Sequence, residues 1–207
     1  EDVVAGLRHL RLVEPRPVRP RPEYKRVWAS LDKEMSEVID DAFAEAKTRD
    51  PHGTKRWVVL VDGDPKQIRR IQAAARKAGQ KVTFVLDFVH VLEKLWKATT
   101  CLNKESTPEA EEWVLVRLAR ILNGQSSAVA AGMTRSATKL GLSKADRKAI
   151  DDCARYLLKN RSRLRYGDYL RDGLPIATGV IEGACRHLIC DRMDITGARW
   201  SLAGAEA

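Results

Sequence analysis

Two short apolar runs around one amphipathic stretch, followed by a long region with no strand pattern, predict an α/β chain: a βαβ core carrying an all-helical insertion. The runs are WVVLVDG at 57–63 and KVTFVLD at 81–87. Both are rich in apolar β-branched residues, as strands covered on both faces must be, and each ends on an aspartate. Strand, crossover helix and strand within so short a compass pair in parallel, which brings Asp62 and Asp87 to the same rim of the sheet.

The remaining elements follow in order. EPRPVRPRPEYKR at 14–26 alternates proline with arginine, which prevents helix and predicts an extended basic strap. Such a strap either lies on DNA through Arg16, Arg19 and Arg21 or is a solvated linker. YKRVWASL at 24–31 reads as a short strand running into a cap at Ser30. Leu31, Met35, Val38, Ile39, Ala42, Phe43 and Ala46 then recur at helical spacing, predicting an amphipathic helix over 31–47 packed on the sheet and ended by Asp50-Pro51-His52-Gly53. Asp64 and Pro65 open the crossover helix, Ile68, Ile71, Ala75 and Ala78 form its apolar stripe, and Gly79 ends it.

Beyond Asp87 only helical patterns appear. Phe88, Val91, Leu92, Leu95 and Trp96 begin one helix; Thr107-Pro108 caps a second, with Trp113, Val114, Leu118, Ile121 and Leu122 inside and Gly124 after it. A weaker third runs through 126–140, and Ser143 with Asp146 has the capping-box pattern for a fourth carrying Ile150, Cys153, Ala154, Leu157 and Leu158. The chain returns in PIATGVIEGACRHLICDRMDITGARW at 175–200, where Glu182 stands in the first turns of a short helix that also carries Arg186, His187 and Arg192. The divisions implied are a basic linker and short strand at 1–30, a βαβ core at 31–100, the helical insertion at 101–174 and a returning segment at 175–207.

The composition favours a polyanionic partner: 37 Lys and Arg against 28 Asp and Glu give a net charge of +9. No apolar run reaches the roughly 18 residues of a membrane span and no cleavable leader is visible, so the expected setting is the cytoplasm, without membrane association. Cys101, Cys153, Cys185 and Cys190 form no paired CxxC knuckles and read as reduced core thiols rather than disulfides or a zinc site. Trp28, Trp57, Trp96, Trp113 and Trp200 sit in apolar patterns and read mainly as core, with Trp200 also placed to stack on an unpaired base.

Carboxylates at the carboxyl ends of adjacent parallel strands stand where open α/β sheets place ligands. Acidic oxygens there suit Mg²⁺ or Mn²⁺, and a basic surround suits a phosphodiester. Each residue also has a plainer reading: Asp62-Gly63 as a strand-ending turn, Asp87 as an N-cap, Glu182 as an i,i+4 partner of Arg186. His90 is either a helix-start histidine or, three residues after Asp87 on the same helical face, its partner; His187 beside Arg186 suits DNA backbone. A nucleotide-binding α/β enzyme is disfavoured, because GDPKQ lacks the GxxxxGK[ST] pattern and no GxGxxG follows either strand.

VDGDPKQIRRIQ, VLDFVHVLEKLWK and above all PIATGVIEGACRHL with DRMDITGARW resemble the ISKra family of bacterial insertion-sequence transposases, over essentially the whole chain. The resemblance implies an RNase H-like fold, D-D-E chemistry on DNA with Mg²⁺ or Mn²⁺, transposon ends and target DNA as partners, homo-oligomer formation and a place on the bacterial nucleoid. It implies that Asp62 is the second acid and Glu182 the third, both catalytic and metal-binding. Asp87 and His90 would match the Asp/Cys-x-x-His pair that follows the second acid in related transposases, and Arg199-Trp200 the closing Arg-Trp element, with Arg186 beside Glu182. One departure stands out. The RNase H order demands two more strands between the first acid and the second, so the first Asp is expected before Glu1, and the chain reads as a transposase truncated at both ends. The alternative is a catalytically silent, DNA-binding remnant of one.

Overall fold

The computed structural model describes residues 23–26, 30–178 and 201. Within them the chain is mixed α/β. Helix α1 (Met35–Arg49) leads to strand β1 (Trp57–Val61), helix α2 (Pro65–Lys77), strand β2 (Val82–Leu86) and helix α3 (Phe88–Thr99). Helices α4 (Pro108–Leu122), α5 (Ser126–Lys139) and α6 (Lys148–Lys159), a 3₁₀ turn (Arg161–Arg163) and the short α7 (Tyr166–Arg171) complete it. No helix among the described residues is long and apolar enough to cross a membrane.

β1 and β2 pair in parallel, with Trp57 opposite Val82 and Val61 opposite Leu86. The crossover is set locally. The Asp64 carboxylate accepts from the Lys66 and Gln67 amides at 3.0 and 3.3 Å, and Pro65 fills the first helical position, where its missing N–H costs nothing. At the far end Gly79 takes φ +65°, a left-handed conformation that ends the helix without a Cβ clash. Thr107 caps α4 in the same way, accepting from Ala110 at 3.3 Å ahead of Pro108.

The start of the chain departs from expectation. Residues 23–26 and 30 form no strand, and 27–29 lie outside the described residues. Ser30 Oγ does accept from the Asp32 and Lys33 amides, at 3.2 and 3.0 Å, but this closes a turn. Helix α1 begins at Met35 instead, because Glu37 reaches back to the Glu34 amide at 2.8 Å and makes the stronger start signal. Leu31 and Met35 are therefore exposed, and α1 lies along α2 while its Phe43 reaches the ring of Trp57 on β1 at 5.6 Å. Ser143 Oγ accepts from the Asp146 amide at 3.2 Å and donates to the Asp146 carboxylate at 2.7 Å, half of the expected box, and these bonds close a turn ahead of α6. Trp96 is surface-exposed at 37%, unlike the buried Trp57.

One hydrophobic cluster runs through both halves. Val61, Ile68, Ile71, Val85 and Leu86 of the βαβ unit are continuous with Val91 and Leu95 of α3, Val114 and Ile121 of α4, Met133 of α5 and Ile150 and Leu157 of α6. The helical block is thus packed directly on the unit that carries the rim. Cys101 and Cys153 are free thiols, and burial pushes the Cys153 thiol up to about 12, so it serves as an inert core residue.

Candidate functional site

Asp62 and Asp87 follow the last paired residues of β1 and β2, so the strand register sets them side by side at the carboxyl edge; the Asp87 amide donates to the Val61 carbonyl at 2.8 Å. Their environments are opposite. Asp62 is exposed. One of its oxygens, Oδ1, accepts from the Asp64 amide at 2.8 Å, which closes the Asp62-Gly63-Asp64-Pro65 turn, while Oδ2 accepts no hydrogen bond among the described residues. Asp87 is 1% exposed and fully engaged. Oδ1 accepts from Val89 N at 3.0 Å, the N-cap bond of α3, and from Thr178 N at 3.3 Å. Oδ2 takes the Thr178 hydroxyl and faces His90 Nδ1 at 3.3 Å.

The turn after Asp62 is fitted to the helical block. Gly63 has φ +97°, and a methyl group placed on it would stand 2.9 Å from a Tyr156 ring carbon and 3.2 Å from the Asn160 amide nitrogen. Tyr156, on α6, donates its hydroxyl to the Asp62 carbonyl at 2.7 Å. Burial, then the charges of Asp62 and Asp87, push its phenol well above the ordinary value, so it remains a donor. Two more tyrosines bind β2: Tyr166 donates to the Leu86 carbonyl at 2.8 Å and Tyr169 to the Phe84 carbonyl at 3.3 Å. The Phe84 and Leu86 carbonyls face away from β1, as the alternation of a strand requires when Asp87 N–H bonds Val61, so these hydroxyls satisfy the free edge of β2.

The chain returns to this edge. The Phe88 amide donates to the Ile176 carbonyl at 2.8 Å, and Thr178 holds Asp87 with its amide and its hydroxyl. Segment 174–178 is thereby fastened beside the rim four residues ahead of Glu182.

Of the residues singled out from the sequence, the structure brings Asp62 and Asp87 to one rim and sets His90 against Asp87. Both plainer readings hold as well: Asp62-Gly63 is a strand-ending turn and Asp87 is an N-cap. Glu182, Arg186, His187, Arg192, Arg199 and Trp200, and Arg16, Arg19 and Arg21, lie outside the described residues. Among the described residues, no group of three or more His, Cys, Asp or Glu side chains is disposed to hold a metal ion. Asp62 fits as one hard oxygen ligand of a divalent ion, since an oxygen is open to solvent; Asp87 does not, because both its oxygens are in use.

Sequence reasoning missed Thr178, the three tyrosines and Asp50. Asp50 is 3% exposed and accepts from Trp57 Nε1 at 2.9 Å and from the Thr54 and Lys55 amides at 2.9 and 3.2 Å, tying the end of α1 to the start of β1. For the tyrosines one signal was available: a buried phenol must place its hydroxyl, and strand-edge carbonyls are the commonest acceptors left over. Comparison of the chain with family models, with curated proteins and with solved structures finds no match.

Proposed function

We propose that this chain is part of the catalytic region of an ISKra-type D-D-E transposase with an RNase H-like fold, acting on DNA phosphodiesters with Mg²⁺ or Mn²⁺. One observation carries the reading: the exposed carboxylate of Asp62 stands on the same strand rim to which Thr178, just ahead of Glu182, is fastened through Asp87. Four residues span at most about 14 Å, so the fastening of Thr178 to this rim supports a place for Glu182 near it.

In this reading Asp62 and Glu182 hold the divalent ion, which when bound supplies charge stabilisation and activation of the attacking oxygen. The chain's own residues do the positioning. Gly63 and the Asp64 cap fix the direction of the Asp62 carboxylate, and Tyr156 anchors its carbonyl to α6. Asp87 and His90 keep the returning segment in place. Helix α2, which begins just after the rim, carries exposed Lys66, Arg69, Arg70 and Arg76, a surface suited to the backbone of a DNA strand.

Mn²⁺ binding followed by electron paramagnetic resonance tests this. Asp62→Asn and Glu182→Gln should each weaken binding about tenfold or more, while Asp87→Asn should change it little. Equal Mn²⁺ affinity in all three variants would sink the metal assignment, and DNA binding that persists with no Mn²⁺ site would favour the silent remnant.

A further inference from the structure

We propose that the outer edge of β1 takes one more strand, laid by the apolar stretch at residues 3–13 of this chain into the space beneath α1. Four observations converge on that edge.

The first is the ladder itself. The Asp87 amide bonds the Val61 carbonyl, so the register turns the N–H and C=O groups of Trp57, Val59 and Val61 toward β2 and those of Val58 and Leu60 away from it. On that outer side Val58 and Leu60 have no hydrogen-bond partner among the described residues. The free edge of β2, by contrast, is closed by the hydroxyls of Tyr166 and Tyr169. The second is burial. A parallel strand of Val and Leu is ordinarily covered on both faces, yet Val58, Val59 and Leu60 are only half-buried.

The third is α1. It carries Val38, Ile39, Ala42, Phe43 and Ala46 as one apolar stripe but buries none of its residues fully. Its place explains why. Helix α2 is the crossover and lies over both strands, and α1 flanks α2, with Lys77 bonded to Asp40 at 2.8 Å and Phe43 against Trp57 of β1. It therefore overhangs the outer side of β1, where no strand of the described residues lies beneath it. The fourth is Gln67, whose Oε1 is buried without a hydrogen-bond partner among the described residues. On α2 it stands between Ile71, which packs into the core, and Arg70, which faces the start of α1. An added strand brings backbone N–H donors to this junction.

A row of outward amides and carbonyls is complementary to another extended backbone, and half-covered apolar faces on both sides call for apolar residues along it. A second copy pairing through its own β1 would bring its own α1 to the space that α1 already occupies, so the occupant is a bare strand. The N-terminal stretch fits. Tyr24 and Arg26 are fastened to the last turns of α1, by Arg49 donating to the Tyr24 carbonyl at 2.7 Å and Arg26 pairing with Glu45 at 3.2 Å. The chain thus enters beside the overhanging helix. Residues 3–13, VVAGLRHLRLV, supply Val3, Val4, Leu7, Leu10, Leu12 and Val13 without a proline. The intervening EPRPVRPRP reaches about 28 Å when extended, more than the roughly 17 Å of a strand as long as β1.

The proposal rests on the edge of β1 and is independent of the metal reading of Asp62. Hydrogen exchange of single amides, read by NMR on the full 207-residue chain, tests it. The Val58 and Leu60 amides should exchange at least about a hundredfold more slowly than unprotected amides. They should return to within about threefold of the free rate in the double variant Leu10→Asp, Leu12→Asp and in a chain lacking residues 1–13, while the Val59 amide, bonded to β2, stays protected and reports an intact fold. Free exchange at Val58 and Leu60 in the unaltered chain would overturn the proposal. So would protection that survives both changes: with a dimer in sedimentation it would assign the edge to a second copy, and with a monomer to another segment of the chain.

Discussion

Replacing Asp87 with alanine should loosen the strand rim and the returning segment together. The carboxylate is 1% exposed and accepts from the Val89 amide, the Thr178 amide and the Thr178 hydroxyl, with His90 against it. Loss of an N-cap costs about 1 kcal/mol. Each donor left buried without an acceptor costs about 1–3 kcal/mol, and Thr178 is only half-buried, so the lower end applies to it. The sum is about 3 kcal/mol, which lowers Tm by roughly 6–12 °C in a chain of this size. Urea unfolding followed by circular dichroism measures it. Asp87→Asn keeps an N-cap acceptor and should recover about 1 kcal/mol of the loss. Thr178→Val should cost about 1.5 kcal/mol, and the double variant should cost less than the sum of the two singles by about 1 kcal/mol, because the same bond is removed in both. Strict additivity would refute the contact across the 91 residues that separate the pair in sequence. A loss below about 1 kcal/mol for Asp87→Ala would refute its role as the fastening point.

Four further outcomes are expected. Gly63→Ala, which forces a Cβ into Tyr156 at positive φ, should destabilise by about 2–4 kcal/mol in the same urea assay; a neutral effect would mean that the turn is not held against α6. Tyr166→Phe leaves the Leu86 carbonyl without its donor and should cost about 1–2 kcal/mol, with faster hydrogen exchange along β2 as the local readout. The Trp57 indole beside Asp50, then its backbone amide donors, holds the Asp50 carboxyl below the ordinary range against the opposing effect of burial. Its stabilising contribution is therefore complete above the unfolded value near pH 4 and is lost as pH falls through the folded one, so Asp50→Asn should flatten the acid limb of the stability profile read by tryptophan fluorescence. Cys153, buried and pushed up to about 12, should resist alkylation in native buffer and react once urea is added, whereas the half-buried Cys101 reacts first; peptide mapping of alkylated protein distinguishes them.

What the sequence by itself determined are the features written in a few neighbouring residues. The apolar runs at 57–61 and 82–86, the Asp64-Pro65 start and Gly79 end of α2, and the Thr107-Pro108 start of α4 are each settled by local sterics and backbone hydrogen bonds, and the structure places them where the pattern did. Where two local signals competed, as between Ser30 and Glu34 for the start of α1, the residues that decided were again nearby, but only the folded geometry showed that Glu37 closes the box. The identities of Asp62 and Asp87 were legible, and so was their common rim. Their different exposure was not, because burial of a side chain is decided by what arrives from elsewhere: Thr178 closes over the Asp87 carboxylate, while Tyr156 reaches the backbone carbonyl of Asp62 and leaves its carboxylate to the local Asp64 turn. Hydroxyls carry no periodicity that would mark their acceptors, and the acceptors of Tyr156, Tyr166 and Tyr169 at Asp62, Leu86 and Phe84 lie 80 or more residues away. Tertiary structure decides such points because a polar group is bound to whichever partner packing brings within about 3 Å, and sequence separation does not enter that distance.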